Sequence, residues 1–365
     1  MGKVDDFLRM MLVKEASDLY LKTGSPPCFR VYGKLFPEGD QPLTADEVRS
    51  FSTEILNEEQ EKQFRDNLEA DVAISLSGVG RFRANVYYQR GSIGIVFRSI
   101  KSSVPSFADL NLPAKVLEEL CHETRGLVLV TGSTGCGKST TLGSMLDYIN
   151  TNMEKHILSI EDPIEFVYRD KKSIISQREI GIDTRSYYHA LRHIMRQTPD
   201  VIHIGDIRDV ETMSSAIQAA ETGQLVLSTL HTINATQTVE RIINFFPPYQ
   251  HHEVRLQLSL LLKGVVSLRL IPRKDGKGRV PACEVMLLTP TIRGLIHEGE
   301  TIQIPNFIQD GAIFGMQTFN QALISLYKSG HVTLEDARNN SDNRDELDLV
   351  LKGFHAGAKG FAGMK

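Results

Sequence analysis

Long apolar runs, paired cysteines and charge of one sign are all scarce in this chain, and each scarcity removes a class of protein. No stretch reaches the ~18 apolar residues of a spanning helix; the most apolar helical stretch, Leu256 to Leu270, carries Lys263 and Arg269. The start, Met1-Gly2-Lys3-Val4-Asp5-Asp6, lacks the apolar core of an export signal and reads as the beginning of a soluble helix. The four cysteines, Cys28, Cys121, Cys136 and Cys283, stand far apart with no C-x-x-C pair. That spacing argues against a zinc ribbon and for a reducing compartment. With 41 Lys and Arg against 45 Asp and Glu, the net charge is −4, and no basic stripe with interleaved aromatics is evident, so nucleic acid is not expected as a partner. The expectation is a cytoplasmic protein with no direct membrane insertion.

What is present begins with Gly132-Ser133-Thr134-Gly135-Cys136-Gly137-Lys138-Ser139. An apolar run, Gly126 to Val130, leads into these glycines, and a helical pattern from Ser139 through Thr140 to Ile149 follows. Strand, glycine-rich turn and helix in that order make the P-loop. Its backbone N–H groups turn inward around a phosphate, Lys138 reaches the β and γ oxygens, and Ser139 offers a hydroxyl to Mg²⁺. The helix dipole points at the same anion. A nucleotide's phosphates and Mg²⁺ are therefore the expected ligands.

The 365 residues allow roughly two to three domains, and nothing repeats internally. Residues 1–100 read as a small α+β domain: a helix from Asp5 to Val13, strands at Asp18–Leu21 and Phe29–Leu35, a helix over Ala45–Asn67, then three alternating runs at 71–76, 80–89 and 93–100. A polar, Pro-containing linker covers 101–106. From 107 to 290, continuous apolar runs at 126–131, 157–161, 200–205 and 225–230 alternate with helices, the rhythm of a parallel sheet buried on both faces. A helix is expected over Gln250–Val266, and a hairpin at Lys274-Asp275-Gly276-Lys277. Residues 291–352 read as helical, with Phe319, Leu323, Leu326 and Tyr327 on one apolar face. The glycine-rich tail, 353–365, reads as disordered.

Hydrolysis needs carboxylates as well as a phosphate cradle. Ser159-Ile160-Glu161-Asp162-Pro163-Ile164-Glu165-Phe166 places three at the end of the second core strand, where one can act as general base or all can form a solvated turn. Pro199 to Gly205 is an apolar strand ending in Asp206, the form of a Walker B acid that works through the Mg²⁺ hydration shell. His203 reads as a packing residue. His231 ends a fourth strand, where it either serves structure or senses the γ-phosphate. Arg83 and Arg98 lie in the first domain, either as solvated surface or as arginines that reach a neighbouring subunit's phosphates in trans.

Taken together these motifs resemble the secretion-type hexameric ATPases and, within them, the type IV pilus retraction ATPases of the PilT/PilU kind. The likeness runs through Ala16-Ser17-Asp18-Leu19, Gly80-Arg81-Phe82-Arg83, the P-loop, the acidic box Ile160 to Phe166, and Gln177-Arg178-Glu179. It continues through Arg196 to Ile202, Ala220-Glu221-Thr222-Gly223, Thr229-Leu230-His231-Thr232 and Gly315-Met316-Gln317-Thr318-Phe319. The resemblance implies a RecA-like P-loop core behind a PAS-like N-terminal domain, with a helical C-terminal region. It also implies a homohexamer that couples ATP hydrolysis to pilus retraction and twitching motility through the inner-membrane platform protein. On that basis Glu165 is the base rather than Glu161, and Arg83 with Arg98 is the trans-acting pair.

The absence of a four-cysteine metal motif and the segment Thr291 to Glu298 place the chain with retraction rather than with extension or type II secretion ATPases. Leu270-Ile271-Pro272, Gly276 to Arg279 and Phe319 to Leu323 lie nearer the PilU side. Two positions depart from the family pattern: Gly205-Asp206 replaces Gly-Glu, and Gln224 replaces the first histidine of the histidine box. Slower hydrolysis, suited to an accessory subunit beside a paralogous retraction ATPase, is the alternative these departures imply.

Overall fold

The computed structural model describes residues 3–76, 79–100 and 103–352. Lys101 and Ser102 of the expected linker and the whole tail 353–365 lie outside the described residues. By contacts the chain forms two compact units: residues up to Ser103 with Glu165–Val167, and Val104–Ile164 with the residues from Tyr168 onward.

The first unit is built on a six-stranded sheet whose described pairings are all antiparallel. Its strands are β1 (Asp18–Lys22), β2 (Cys28–Val31), β3 (Lys34–Pro37), β4 (Glu69–Leu76), β5 (Gly80–Gln89) and β6 (Ser92–Ile100). They lie in the order β3-β2-β1-β6-β5-β4. Helices α1 (Lys3–Val13), α2 (Ala45–Ile55) and α3 (Glu58–Asn67) complete the unit. Leu8, Leu19, Phe29, Phe82, Ile95 and Phe97 are among its buried core residues.

Two expected elements are split. The strand over Phe29–Leu35 breaks at Tyr32-Gly33, where φ values of 49° and 81° make a two-residue hairpin turn. The helix over Ala45–Asn67 breaks at Leu56-Asn57 because Asn57 caps a new helix. Its side chain accepts from the Gln60 N–H while Gln60 reaches back to the Asn57 N–H.

The second unit carries a seven-stranded sheet: β7 (Gly126–Thr131), β8 (His156–Glu161), β9 (Ile174–Glu179), β10 (Val201–Ile204), β11 (Leu225–Leu230), β12 (Leu262–Pro272) and β13 (Arg279–Leu287). The order is β13-β12-β7-β11-β10-β8-β9, parallel throughout except for the β12/β13 hairpin. Every residue of β7 and β11 is buried. The alternation within β7 sends Leu127 and Leu129 to one hydrophobic layer and Val128 and Val130 to the other, which is why the strand reads as one unbroken apolar run.

Helices α4 (Ala114–Cys121), α5 (Lys138–Asn152), α6 (Tyr187–Ile194), α7 (Val210–Glu221), α8 (Ala235–Phe245) and α9 (His251–Leu261) cover the two faces. Helices α10 (Pro290–Glu298), α11 (Ile304–Asp310), α12 (Phe319–Lys328), α13 (Leu334–Asn339) and α14 (Arg344–Leu351) follow. Among them α12 packs Phe319 and Leu323 against Ile271 and Val280 of the hairpin. Tyr327, expected on the same face, is exposed; Ala322 and Ile324 are buried instead.

The expected helix over Gln250–Val266 is corrected: α9 stops at Leu261 and β12 begins at once. Gly264 disfavours a helix by ~1 kcal/mol, and the β-branched pair Val265-Val266 favours a strand. A side chain at Gly264 would meet Leu120 at 3.0 Å and the Met286 carbonyl oxygen at 3.1 Å, so the strand packs tightly against its neighbours here. Strand β9 is an addition. Its sequence, Ile-Ile-Ser-Gln-Arg-Glu, has only two apolar residues and extends the sheet at its edge beside β8.

Candidate functional site

Because the strands are parallel, the ends of β7, β8, β10 and β11 open on one edge of the sheet, and the segments leaving them carry the polar side chains. The β7–α5 loop is shaped by Gly132, Gly135 and Gly137, with φ values of 139°, 76° and 103°. At Gly135 and Gly137 a Cβ would meet nothing within 4 Å, whereas at Gly132 it would strike Cys136 Sγ at 2.5 Å and the Leu268 carbonyl oxygen at 2.6 Å. Ser133 and Thr134 are exposed, while Cys136 is buried; burial raises its thiol pKa, with Lys138 opposing.

Lys138 is buried, and its ammonium donates to the carbonyl oxygens of Gly132 at 2.9 Å and Ser133 at 3.1 Å. It also stands 3.4 Å from Nδ1 of His231. An ammonium has only protons to give, so Nδ1 accepts and the other ring nitrogen carries the proton. That nitrogen, Nε2, lies 3.2 Å from Oδ2 of Asp206. The same oxygen accepts from Arg208 Nε at 2.8 Å, and Oδ1 accepts from the Thr229 hydroxyl at 3.0 Å. The single Thr229 proton is shared with the Gly205 carbonyl at 2.8 Å, and Ser228 donates to the Ile204 carbonyl at 2.7 Å, tying the end of β11 to the end of β10. One polar chain thus runs from the P-loop lysine through His231 to Asp206, and it fixes the imidazole tautomer.

The acidic box divides. Glu161 is buried, and one carboxylate oxygen accepts from the Ser159 hydroxyl and from Gln177 Nε2, the latter at 3.1 Å. His203 stands on the same side, with Nδ1 3.1 Å from Ser159 Oγ, within the sheet as a packing residue. Glu165 is exposed and stands in Glu165–Val167, the three residues that group with the first unit. Arg83 and Arg98 are also in the first unit, directly opposite each other on β5 and β6. Arg98 Nε donates to Asp18 Oδ1 at 2.9 Å, and Arg83 Nε lies 3.8 Å from Asp71 Oδ1. Gln224 and His231 stand at opposite ends of β11, so the departure at Gln224 lies away from the Lys138–His231–Asp206 chain.

Several contributors carry no signal in the sequence. Arg208 and Thr229 read only as neighbours of motifs. Tyr187 opens a helix whose spacing says nothing about a site, yet its hydroxyl would lie 2.9 Å from a Cβ at Gly205. Burial first, then Asp162 and Asp206, push its phenol well above the usual value. A cavity of about 420 Å³ opens beside the P-loop, lined by Leu112, Gly137, Thr140 and Thr141 on one side and by Arg273, Lys277 and Arg279 of the hairpin on the other. The sequence marks that hairpin as a turn, not as a wall of the site.

The described residues hold no group of three or more His, Cys, Asp or Glu arranged for a metal. Mg²⁺ at a nucleotide is bound by one or two protein oxygens plus phosphates. The Ser139 hydroxyl and the Asp206 carboxylate supply hard oxygen donors of the right kind.

Comparison with known proteins agrees over nearly the whole chain. Residues 5–337 match the family described as Type II/IV secretion system protein. The type IV pilus ATPase PilU of Pseudomonas aeruginosa is 44% identical over 348 residues, covering 95% of this chain and 91% of PilU. The type IV pilus retraction ATPase PilT of the same organism is 43% identical, covering 92% and 97%. The solved structure of the pilus retraction motor PilT with bound ADP superposes with a TM-score of 0.86 at 44% identity, covering 95% of this chain and 99% of that one. The Legionella pneumophila ATPase DotB follows with a TM-score of 0.78 at 25% identity, covering 96% of each chain. A RecA-like nucleotide-binding core, its P-loop lysine joined through a histidine to the acid that follows β10, thus belongs to a chain of the type II/IV secretion ATPase family, with PilU and PilT among its relatives.

Proposed function

We propose that the chain is the subunit of a homohexameric motor that couples ATP hydrolysis to retraction of a type IV pilus, and so to twitching motility. The observation that carries this reading is the connected chain Lys138–His231–Asp206, in a protein similar to PilU and PilT along nearly all its length. The P-loop backbone, from Gly132 through Gly137, holds the phosphates, and Lys138 exchanges its bonds to Gly132 and Ser133 for the β and γ oxygens. The cavity between Thr140 and the hairpin takes the adenosine.

Ser139 and Asp206 would hold Mg²⁺, which would supply charge neutralisation to the phosphates. Glu165 orients and deprotonates the attacking water; Glu161 is unsuited because it is buried and committed to Ser159 and Gln177. His231, freed at Nδ1 when Lys138 turns to phosphate, reports whether the γ-phosphate is present. Arg83 and Arg98 act on a neighbouring subunit's nucleotide, which requires the ring. The ring sits on the cytoplasmic face of the inner membrane against the pilus platform protein. No helix among the described residues is long and apolar enough to cross a membrane.

A deletion strain tests this, with any paralogous motor gene also removed. Loss of retraction that is restored by the wild-type gene, and not by Lys138→Ala, is expected; unchanged twitching contradicts it. Asp206 favours a second reading, an accessory ring subunit that hydrolyses weakly beside a paralogous motor. Under that reading deletion weakens retraction without abolishing it while the paralogous motor is present.

A further inference from the structure

The register of the first sheet sets four side chains in one row. Arg83 of β5 is opposite Arg98 of β6, Arg98 is opposite Asp18 of β1, and Asp18 is opposite Arg30 of β2. Directly opposed residues of antiparallel strands share a face. Three guanidinium groups side by side would repel one another, and the one carboxylate among them is buried at 4% exposure.

Each Asp18 oxygen has its own task. Oδ1 accepts from Arg98 Nε at 2.9 Å. Oδ2 accepts from the Ser17 hydroxyl at 2.9 Å and pairs with Arg30 Nε at 3.4 Å. Arg30 is drawn the other way as well: it donates to the Tyr20 hydroxyl through Nε at 2.8 Å and Nη2 at 2.6 Å, and its guanidinium lies 5.3 Å from the Tyr20 ring centroid. Arg30 is thereby parked, and Asp18 is left to hold Arg98. The side chain of Arg98 is 73% exposed, and only its Nε is engaged among the described residues. Held at the Nε, a guanidinium keeps both terminal nitrogens for a planar, bidentate partner such as a phosphate.

We propose that Asp18 is a positioning residue that orients Arg98 for a phosphate on another subunit. The proposal rests on the reading of Arg98 as trans-acting, and deepens it. A long surface arginine left to itself samples many rotamers; a buried carboxylate behind its Nε selects one and so reduces the ordering cost when the phosphate arrives. The carboxylate never touches nucleotide. Its loss therefore changes turnover and leaves a subunit's own P-loop intact.

Steady-state ATPase assays on the full-length assembly with Mg²⁺ test this, comparing wild type, Arg98→Ala, Asp18→Asn, Asp18→Glu and the Asp18→Asn/Arg98→Ala double variant. Arg98→Ala tests the underlying reading and is expected to lower kcat at least ~1,000-fold, as for an arginine finger. Asp18→Asn is expected to lower kcat about tenfold with KM for ATP within about twofold, a positioning loss. The double variant is expected to be no slower than Arg98→Ala. Mixing Asp18→Asn subunits with Lys138→Ala subunits, which hydrolyse nothing themselves but carry an intact Asp18–Arg98 pair, is expected to raise turnover above that of either alone. A merely structural defect would not be rescued this way. Where Asp18→Asn does not assemble, Asp18→Glu keeps the charge, moves it by one methylene, and is expected to lower kcat alone. Normal turnover by Asp18→Asn or Asp18→Glu beside a crippled Arg98→Ala overturns the proposal, as do losses that add fully in the double variant. Normal turnover by Arg98→Ala overturns the reading beneath it.

Discussion

Two glycines of one loop should respond very differently to the same added methyl group. At Gly135 an alanine Cβ meets nothing within 4 Å, and φ is 76°, within the left-handed region. The cost is the left-handed penalty alone, roughly 1–2 kcal/mol for an L-residue. At Gly132 φ is 139°, outside the left-handed well, where strain is of order 1–3 kcal/mol. The Cβ also falls 2.6 Å from the Leu268 carbonyl oxygen and 2.5 Å from Cys136 Sγ. Neither neighbour yields easily: Leu268 lies in β12, paired with β13 through Cys283, and Cys136 is buried.

The loop itself must therefore move, and a displacement of ~1 Å at a phosphate site costs about 100-fold. Titration of a fluorescent ATP analogue into Gly132→Ala and Gly135→Ala, with melting curves to confirm folding, compares the two. Gly135→Ala should bind within about tenfold of wild type and Gly132→Ala at least ~100-fold more weakly. Equal affinities for the two variants would refute the argument from loop geometry.

Other consequences are equally open to measurement. Both oxygens of Asp206 are already engaged, by His231 and Arg208 on one and Thr229 on the other, so Asp206→Glu must push one of them aside. Turnover should change by less than about tenfold; a rise of ~100-fold would favour the accessory reading. Glu284 is buried and accepts from the Ala235 N–H at 2.7 Å, and burial raises its carboxyl pKa to about 7 from the ordinary 4.5. The folded chain then holds a proton that the unfolded chain has released, so stability falls as pH rises from about 4.5 to about 7 and is level above. Glu284→Gln should therefore melt higher than wild type at pH 8, by up to about 3 kcal/mol of stability, with the gain shrinking toward pH 5; an equal gain at both pH values would contradict this. Thr229→Val removes one donor from Asp206 and should slow hydrolysis about tenfold without changing ATP affinity, read from kcat and KM separately.

The parts of this fold legible in the sequence were those where local chemistry and tertiary placement agree. Strands β7 and β11 are buried on both faces and so read as apolar runs, and the P-loop announces itself by its glycines. Strand β12 is hard to read because Leu256 to Leu270 keeps a leucine-rich pattern across the helix–strand junction, and only Gly264 with the β-branched Val265-Val266 signals the change. Strand β9 is mostly polar because it stands at the sheet edge. In the site, Lys138, Asp206 and His231 end motifs and could be named, but their joining is a product of strand order. Thr229 and Arg208 matter through two hydrogen bonds to one carboxylate, and no spacing encodes that.

The central claim, that this chain hydrolyses ATP by itself with Lys138 on the phosphates and Glu165 as base, is tested most directly by one measurement. Steady-state phosphate release by the purified protein with Mg²⁺ and ATP is compared for wild type, Lys138→Ala and Glu165→Ala. The account predicts clear turnover by wild type, none by Lys138→Ala, and binding without turnover by Glu165→Ala. Full turnover by Glu165→Ala, or none by wild type under conditions where ATP binds, would contradict it.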